Sequence, residues 1–65
     1  MTINRTKINF ILARKGWTMS NFAEACGLNR SRLYAILNAK RIMPQTAGRL
    51  ADALGVDVTE IADSK

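Results

Sequence analysis

Three residues, Gly27, Leu28 and Asn29, are all that separates two stretches patterned as short helices. The upstream stretch opens at Thr18, a good N-cap, and runs to about Cys26, with Phe22, Ala23 and Cys26 on one face. The downstream stretch is capped by Asn29 and carries Leu33, Ile36 and Leu37 at helical spacing, ending near Leu37 or Asn38. Gly27 stops the first helix, and a three-residue turn holding one glycine is the connection of a helix-turn-helix unit.

The same punctuation divides the rest of the chain. A first helix is expected over about Asn4 to Lys15, with Ile8, Ile11 and Leu12 inward and Gly16 as its left-handed stop. Trp17 and Phe22 sit at hydrophobic-staple spacing around the Thr18 cap, and Leu28 and Leu33 do the same around Asn29. Pro44 opens a fourth helix that Thr46, Ala47, Leu50, Ala51 and Leu54 carry to Gly55. Gly48 inside it costs roughly 0.5–1 kcal/mol against alanine, and close approach of a neighbouring helix is the expected return. Asp57 and Glu60 make a capping box, with Val56 and Ile61 as a third staple, for a brief fifth helix over about Val58 to Asp63. The expectation is an all-α domain of five short helices and no strand, spanning residues 1–65 without linker or repeat.

Charge adds a direction. Residues 1–41 hold eight Lys or Arg against Glu24 alone, a balance of +7, whereas residues 42–65 come to −2. Such asymmetry fits a polyanion partner, although solubility accounts for it equally well. With no histidine and one cysteine, Cys26, the chain lacks the usual general base, a disulfide framework and a zinc cluster, so neither an enzyme nor a cofactor is expected. Cys26 reads as a small core residue and Trp17 as a core or staple residue. The longest apolar run, Phe10 to Ala13, is far short of a membrane span or a signal-peptide core, and a cytoplasmic location without membrane contact is expected.

The third helix carries the chemistry. On a helical wheel Leu33, Ile36 and Leu37 cluster on one side; Ser31, Ala35 and Asn38 fall opposite, flanked by Arg32 and Tyr34. Arg30 lies in the first turn, where its side chain can reach past the helix end. An arginine fork suits guanine O6 and N7, and the Ala35 methyl suits a thymine methyl. The helix starts at Thr18 and Asn29 present N–H groups suited to phosphate oxygens, and Lys40 and Arg41 follow the helix where a nucleic-acid backbone would run.

The stretch "GWTMSNFAEACGLNRSRLYAILNAKR" resembles the helix-turn-helix of the lambda-repressor/Cro-like (Xre) family. The following "ILNAKRIMPQTAGRLADALGV", with Pro44, Leu50, Ala51 and the closing "ALGV", resembles its second half. The likeness covers roughly residues 8 to 61. It implies a compact five-helix domain that binds double-stranded DNA as a homodimer, with the third helix in the major groove. Carried over by position, Arg30, Ser31 and Ala35 take base-contacting places, and Arg32 and Tyr34 contact flanking bases or backbone. Thr18, Met19, Asn29, Asn38, Lys40 and Arg41 are the phosphate-contacting set. Three departures stand out: Met19 replaces a common glutamine, leaving its backbone N–H; Ala39 replaces a common glycine; and Met43 replaces a common polar cap. Val56, Val58 and Ile61 are the dimer-contact candidates, unless the monomer core consumes them. The implied function is a sequence-specific regulator, most simply a repressor on a roughly palindromic operator. The segment "ILNAKRIMPQTAGRLADALG" also resembles antidotes of toxin–antitoxin pairs, which leaves a protein partner beside DNA open.

Overall fold

The computed structural model describes residues 1–63; Lys65, counted in the charge balance above, lies outside them. Four α-helices follow one another: α1 (Arg5–Lys15), α2 (Met19–Cys26), α3 (Arg30–Asn38) and α4 (Pro44–Leu54). In place of the expected fifth helix there is one 3-10 turn, Val58–Glu60, and the backbone then turns extended. Two residue pairs, Thr2 with Asp63 and Ile3 with Ala62, make a minimal antiparallel ladder, β1 (Thr2–Ile3) with β2 (Ala62–Asp63). The five-helix, strand-free expectation is thus corrected to four helices, a 3-10 turn and this clasp. The Asp57–Glu60 box is present nonetheless: the Thr59 amide donates to the Asp57 carboxylate at 3.1 Å, and Asp57 N–H donates to Glu60 at 3.1 Å. It starts a helical turn, but Ile61 then leaves the helical conformation and its side chain goes fully into the core.

Helix limits follow the caps. At the end of α2, Gly27 sits at φ 73°, a left-handed conformation that costs an L-residue with a Cβ about 1–2 kcal/mol. Its N–H and that of Leu28 turn back to the last carbonyls of α2, the Leu28 bond to Ala23 O measuring 2.9 Å. This double closure satisfies carbonyls that would otherwise lack a partner. Gly16 and Gly55 close α1 and α4 with the same geometry.

The core gathers Ile8, Ile11 and Leu12 from α1, Phe22, Ala23 and Cys26 from α2, Leu33 and Leu37 from α3, and Ala47, Leu50, Ala51 and Leu54 from α4. Phe22, Leu33, Leu50 and Ile61 are among the largest side chains fully withdrawn from water. α2 packs on α4 and on α3, and α4 packs on the 3-10 turn, so α4 is the platform from which the α2–α3 pair projects. Trp17, Leu28 and Val56, each just before a cap, are half-buried against this core, as staple positions require. Ile3 and Ala62 complete it from the two short strands.

Gly48 departs from expectation. A Cβ built there meets nothing within 4 Å, so no neighbouring helix approaches closely enough to need the glycine. Its φ is not in the left-handed region either. Gly48→Ala should therefore stabilise the domain by about 0.5–1 kcal/mol through the entropy of the unfolded chain. Thermal unfolding should show a rise of several degrees, and an unchanged or lowered Tm would mean that the space beside α4 is not free.

Candidate nucleic-acid interface

Leu33 and Leu37 pin α3 to the core, with Ile36 half-buried beside them. Every other position of α3 faces water: Arg30, Ser31, Arg32, Tyr34, Ala35 and Asn38 are all exposed. The wheel reading of one anchored stripe and one open face therefore describes the helix as folded. Lys40 and Arg41, just beyond it, are exposed as well.

The helix starts beside this face are built as anion-compatible ends. Thr18 Oγ1 accepts from Asn21 N–H at 3.2 Å, and Asn21 Oδ1 accepts from Thr18 N–H at 2.9 Å, a reciprocal box at the start of α2. Asn29 Oδ1 accepts from Arg32 N–H at 2.7 Å at the start of α3. These caps use the third donor of each first turn. The N–H groups of Met19 and Ser20 in α2, and of Arg30 and Ser31 in α3, precede the first intrahelical bond and point out of the helix end. Thr18 and Asn29 thus spend their side-chain oxygens on their own helices, and Met19, half-buried, contributes its backbone. What these two positions can offer a phosphate is the N–H set they frame.

Two contacts extend the set beyond the expected residues. Arg30 Nη1 lies 3.5 Å from Ser20 Oγ, which bridges the starts of α3 and α2 and sets the guanidinium above the gap between them. Arg5 Nη1 donates to Asn38 Oδ1 at 3.0 Å, which brings the start of α1 to the end of α3. Neither Ser20 nor Arg5 carries a local sequence signal for this role, because the pairings span ten and thirty-three residues. Arg5 adds a cation next to Asn38, so that Arg5, Arg30, Arg32, Lys40 and Arg41 border the α2–α3 unit.

Their electrostatic state is the informative feature. Among the described residues the one salt bridge is Lys7 with Asp63, at 3.7 Å and largely in solvent. None of the five cations around α3 has a carboxylate partner there. Lys15 is engaged elsewhere, over the Trp17 ring at 5.0 Å from its centroid. The two departures flanking the loop after α3 also show. Ala39 leaves the helix in extended backbone at φ −68° and ψ 141°, not in a left-handed cap, and Met43 caps α4 without any side-chain hydrogen bond. That extended exit carries Lys40 and Arg41 away from the axis of α3. Cys26, by contrast, is buried: desolvation pushes its thiol up, and the positive charge of Arg49 only partly opposes the shift. An uncharged core thiol is what its place on α2 calls for.

The helix-turn-helix family model matches residues 10–61, most of the chain. The chain belongs to the Xre/lambda-repressor-like helix-turn-helix family. No curated protein and no solved structure matches it. Membership makes this helix-turn-helix domain a DNA-binding module of the transcription-regulator class. Among the described residues no helix is long and apolar enough to cross a membrane.

The third staple gives one correction. Ile61 is 0% exposed and belongs to the monomer core, so it has no surface to offer a second copy; Val56 and Val58, each half-buried, keep some. The caps also have a measurable consequence. Asn29→Ala should lower stability by about 1 kcal/mol in urea unfolding, with Asn29→Asp retaining most of it. Equal loss in both variants would place the contribution of Asn29 outside its side-chain cap.

Proposed function

We propose that this helix-turn-helix domain is a sequence-specific, double-stranded DNA-binding repressor that inserts α3 into the major groove. The observation that carries the proposal is the open face of α3 bordered by five cations without carboxylate partners among the described residues, beside two helix starts with outward N–H groups. Phosphates are the partners that such a border lacks, and base edges are what the face between them can meet. Arg30 and Ser31 take the first base contacts, Ala35 the later one, and Arg32 and Tyr34 contact flanking bases or backbone. Lys40, Arg41, Asn38 and the N–H groups at Met19 and Asn29–Ser31 hold phosphates, with the Thr18 cap orienting the first set. Repression requires only that the occupied site be closed to other proteins, which a domain of this kind supplies by binding, and the partner places its work in the cytoplasm.

The dimensions support binding as a homodimer. The chain measures 29 × 22 × 17 Å, whereas successive major grooves on one face of DNA lie about 34 Å apart. One copy reads one groove, and a roughly palindromic operator would take two. Of the three dimer-contact candidates, Val56 and Val58 are left to join them. This small contact area would give a dimer that assembles mainly on the operator.

Exposed apolar side chains favour a second reading. Phe10 is 68% exposed on α1 and Met43 is 64% exposed before α4, neither of which DNA contact needs. An antidote that binds a protein toxin as well as DNA would use such residues. Stable co-purification with a co-expressed partner, lost in Phe10→Ser, would favour it; an unaltered domain that purifies without a partner would not.

Selection of bound DNA from a random pool at two salt concentrations tests the main reading. Arg30→Ala should relax the consensus at one or two base pairs and cost about 1–3 kcal/mol per half-site. Lys40→Ala should weaken binding to all sequences alike and flatten the salt dependence by about one unit for each phosphate no longer held. Enrichment of no consensus by the unaltered protein would overturn sequence-specific readout.

A further inference from the structure

Where α2, α3 and α4 meet, a partly enclosed cavity of about 100 Å³ opens beside the proposed reading face. Buried Cys26 and Leu50 and half-buried Leu28 give it an apolar side, and Arg32, Thr46 and Arg49 give it a polar one. Arg32 comes from α3 and Arg49 from α4, so two exposed arginines that lie seventeen residues apart in sequence line one space. Among the described residues no acidic side chain lines it. Neither guanidinium has a hydrogen-bond or ion-pair partner among the described residues. Two like charges bordering one space repel each other, and an anion between them reverses the sign of that interaction.

We propose that this cavity is a binding site for a small oxyanion group, a phosphate or carboxylate, held by the forks of Arg32 and Arg49 with the Thr46 hydroxyl as a further donor. Planar guanidinium forks match such groups in bidentate geometry. The volume selects for size: it exceeds the ~10–15 Å³ that one water needs and falls well short of the ~300 Å³ of sites for drug-sized ligands. A single headgroup fits and a nucleotide does not. The apolar wall of Leu28 and Leu50 would lie against the anion or a short aliphatic stem.

The site has a consequence for regulation that rests on the reading of α3 as the groove helix. Arg32 borders both the cavity and the DNA-facing surface. An anion that engages its fork withholds it from DNA, so ligand and operator oppose each other, and by linkage the antagonism is reciprocal. A DNA backbone phosphate has the same chemistry as a free one, and the experiment must separate the two sources.

Inorganic phosphate is the probe. It is titrated into the full chain without DNA, at constant ionic strength balanced with potassium chloride, while nitrogen-15 NMR follows the Nε–H groups of Arg32 and Arg49 and the Thr46 amide. Saturable shifts at all three positions are expected in the unaltered protein, and in Arg49→Gln those at Arg32 and Thr46 should be abolished with the rest of the spectrum unchanged. Shifts that match the chloride control, or that persist in Arg49→Gln, overturn the site. A second arm measures operator binding: phosphate should weaken it about fivefold or more in the unaltered protein and leave Arg49→Gln unaffected. If phosphate shifts nothing in the free protein while Arg49→Gln weakens all DNA sequences alike, the cavity takes a backbone phosphate and the free-ligand site is overturned. Because the first arm contains no DNA, its failure is distinct from a failure of the groove reading.

Discussion

Three of the four corners of this fold, all but the one between α3 and α4, are made by a glycine in the left-handed region, an apolar residue and a capping residue, in that order. Gly16-Trp17-Thr18, Gly27-Leu28-Asn29 and Gly55-Val56-Asp57 all follow it. The glycine lets the backbone fold over the last turn and satisfy its carbonyls, the apolar residue is pressed against the core, and the cap starts the next helical turn. Termination, docking and initiation thus fall within three consecutive residues. The orientation of α3 relative to α2 depends on the middle corner, because no longer connection is present to absorb a change of angle. Everything assigned to the open face of α3 depends on that angle.

The second organising constraint is an unbalanced one. A domain of this size has a small core, and its stability is a narrow margin between burial and chain entropy. Gathering five cations around α3 without carboxylate partners among the described residues draws on that margin through mutual repulsion. Local caps offset part of it at the two helix starts, with hydrogen bonds of 2.7 to 3.2 Å at Thr18 and Asn29. In this arrangement the free protein carries repulsion that a polyanion would relieve, and the relief would appear as salt-sensitive affinity.

What could be read from the sequence divides along a physical line. Glycines, caps and 3.6-residue periodicity are local signals, and they located α1 to α4, the turn at Gly27 and the anchored stripe of Leu33 and Leu37. Features that depend on residues far apart were invisible. The pairing of Ile3 with Ala62 is a two-residue backbone ladder, too short to have a period, and it takes both residues into the core. Arg5 reaches Asn38, and Arg32 reaches the cavity beside Arg49, only because helices cross. The capping box at Asp57 correctly marks a helical start but carries no information on length, so one 3-10 turn stands where a helix is expected. Ile61 looks available because an apolar residue near an expected surface helix has two uses, and only the packing decides between them. At Gly48 residue type alone suggests a packing reason, and the open space beside it removes that reason.

The first residue of the chain is tied to the loop after α3 by two backbone hydrogen bonds. The Met1 amine donates to Ile42 O at 3.2 Å, and Ile42 N–H donates to Met1 O at 2.8 Å. Asn4 N–H then reaches Ile61 O at 2.8 Å. This short run therefore works as a splint: its main chain braces the extended exit from α3, and Ile3 seats it in the core. Lys40 and Arg41 are held one step from that brace. The loop that carries Lys40 and Arg41 is thereby fastened through a pairing some forty residues away in sequence.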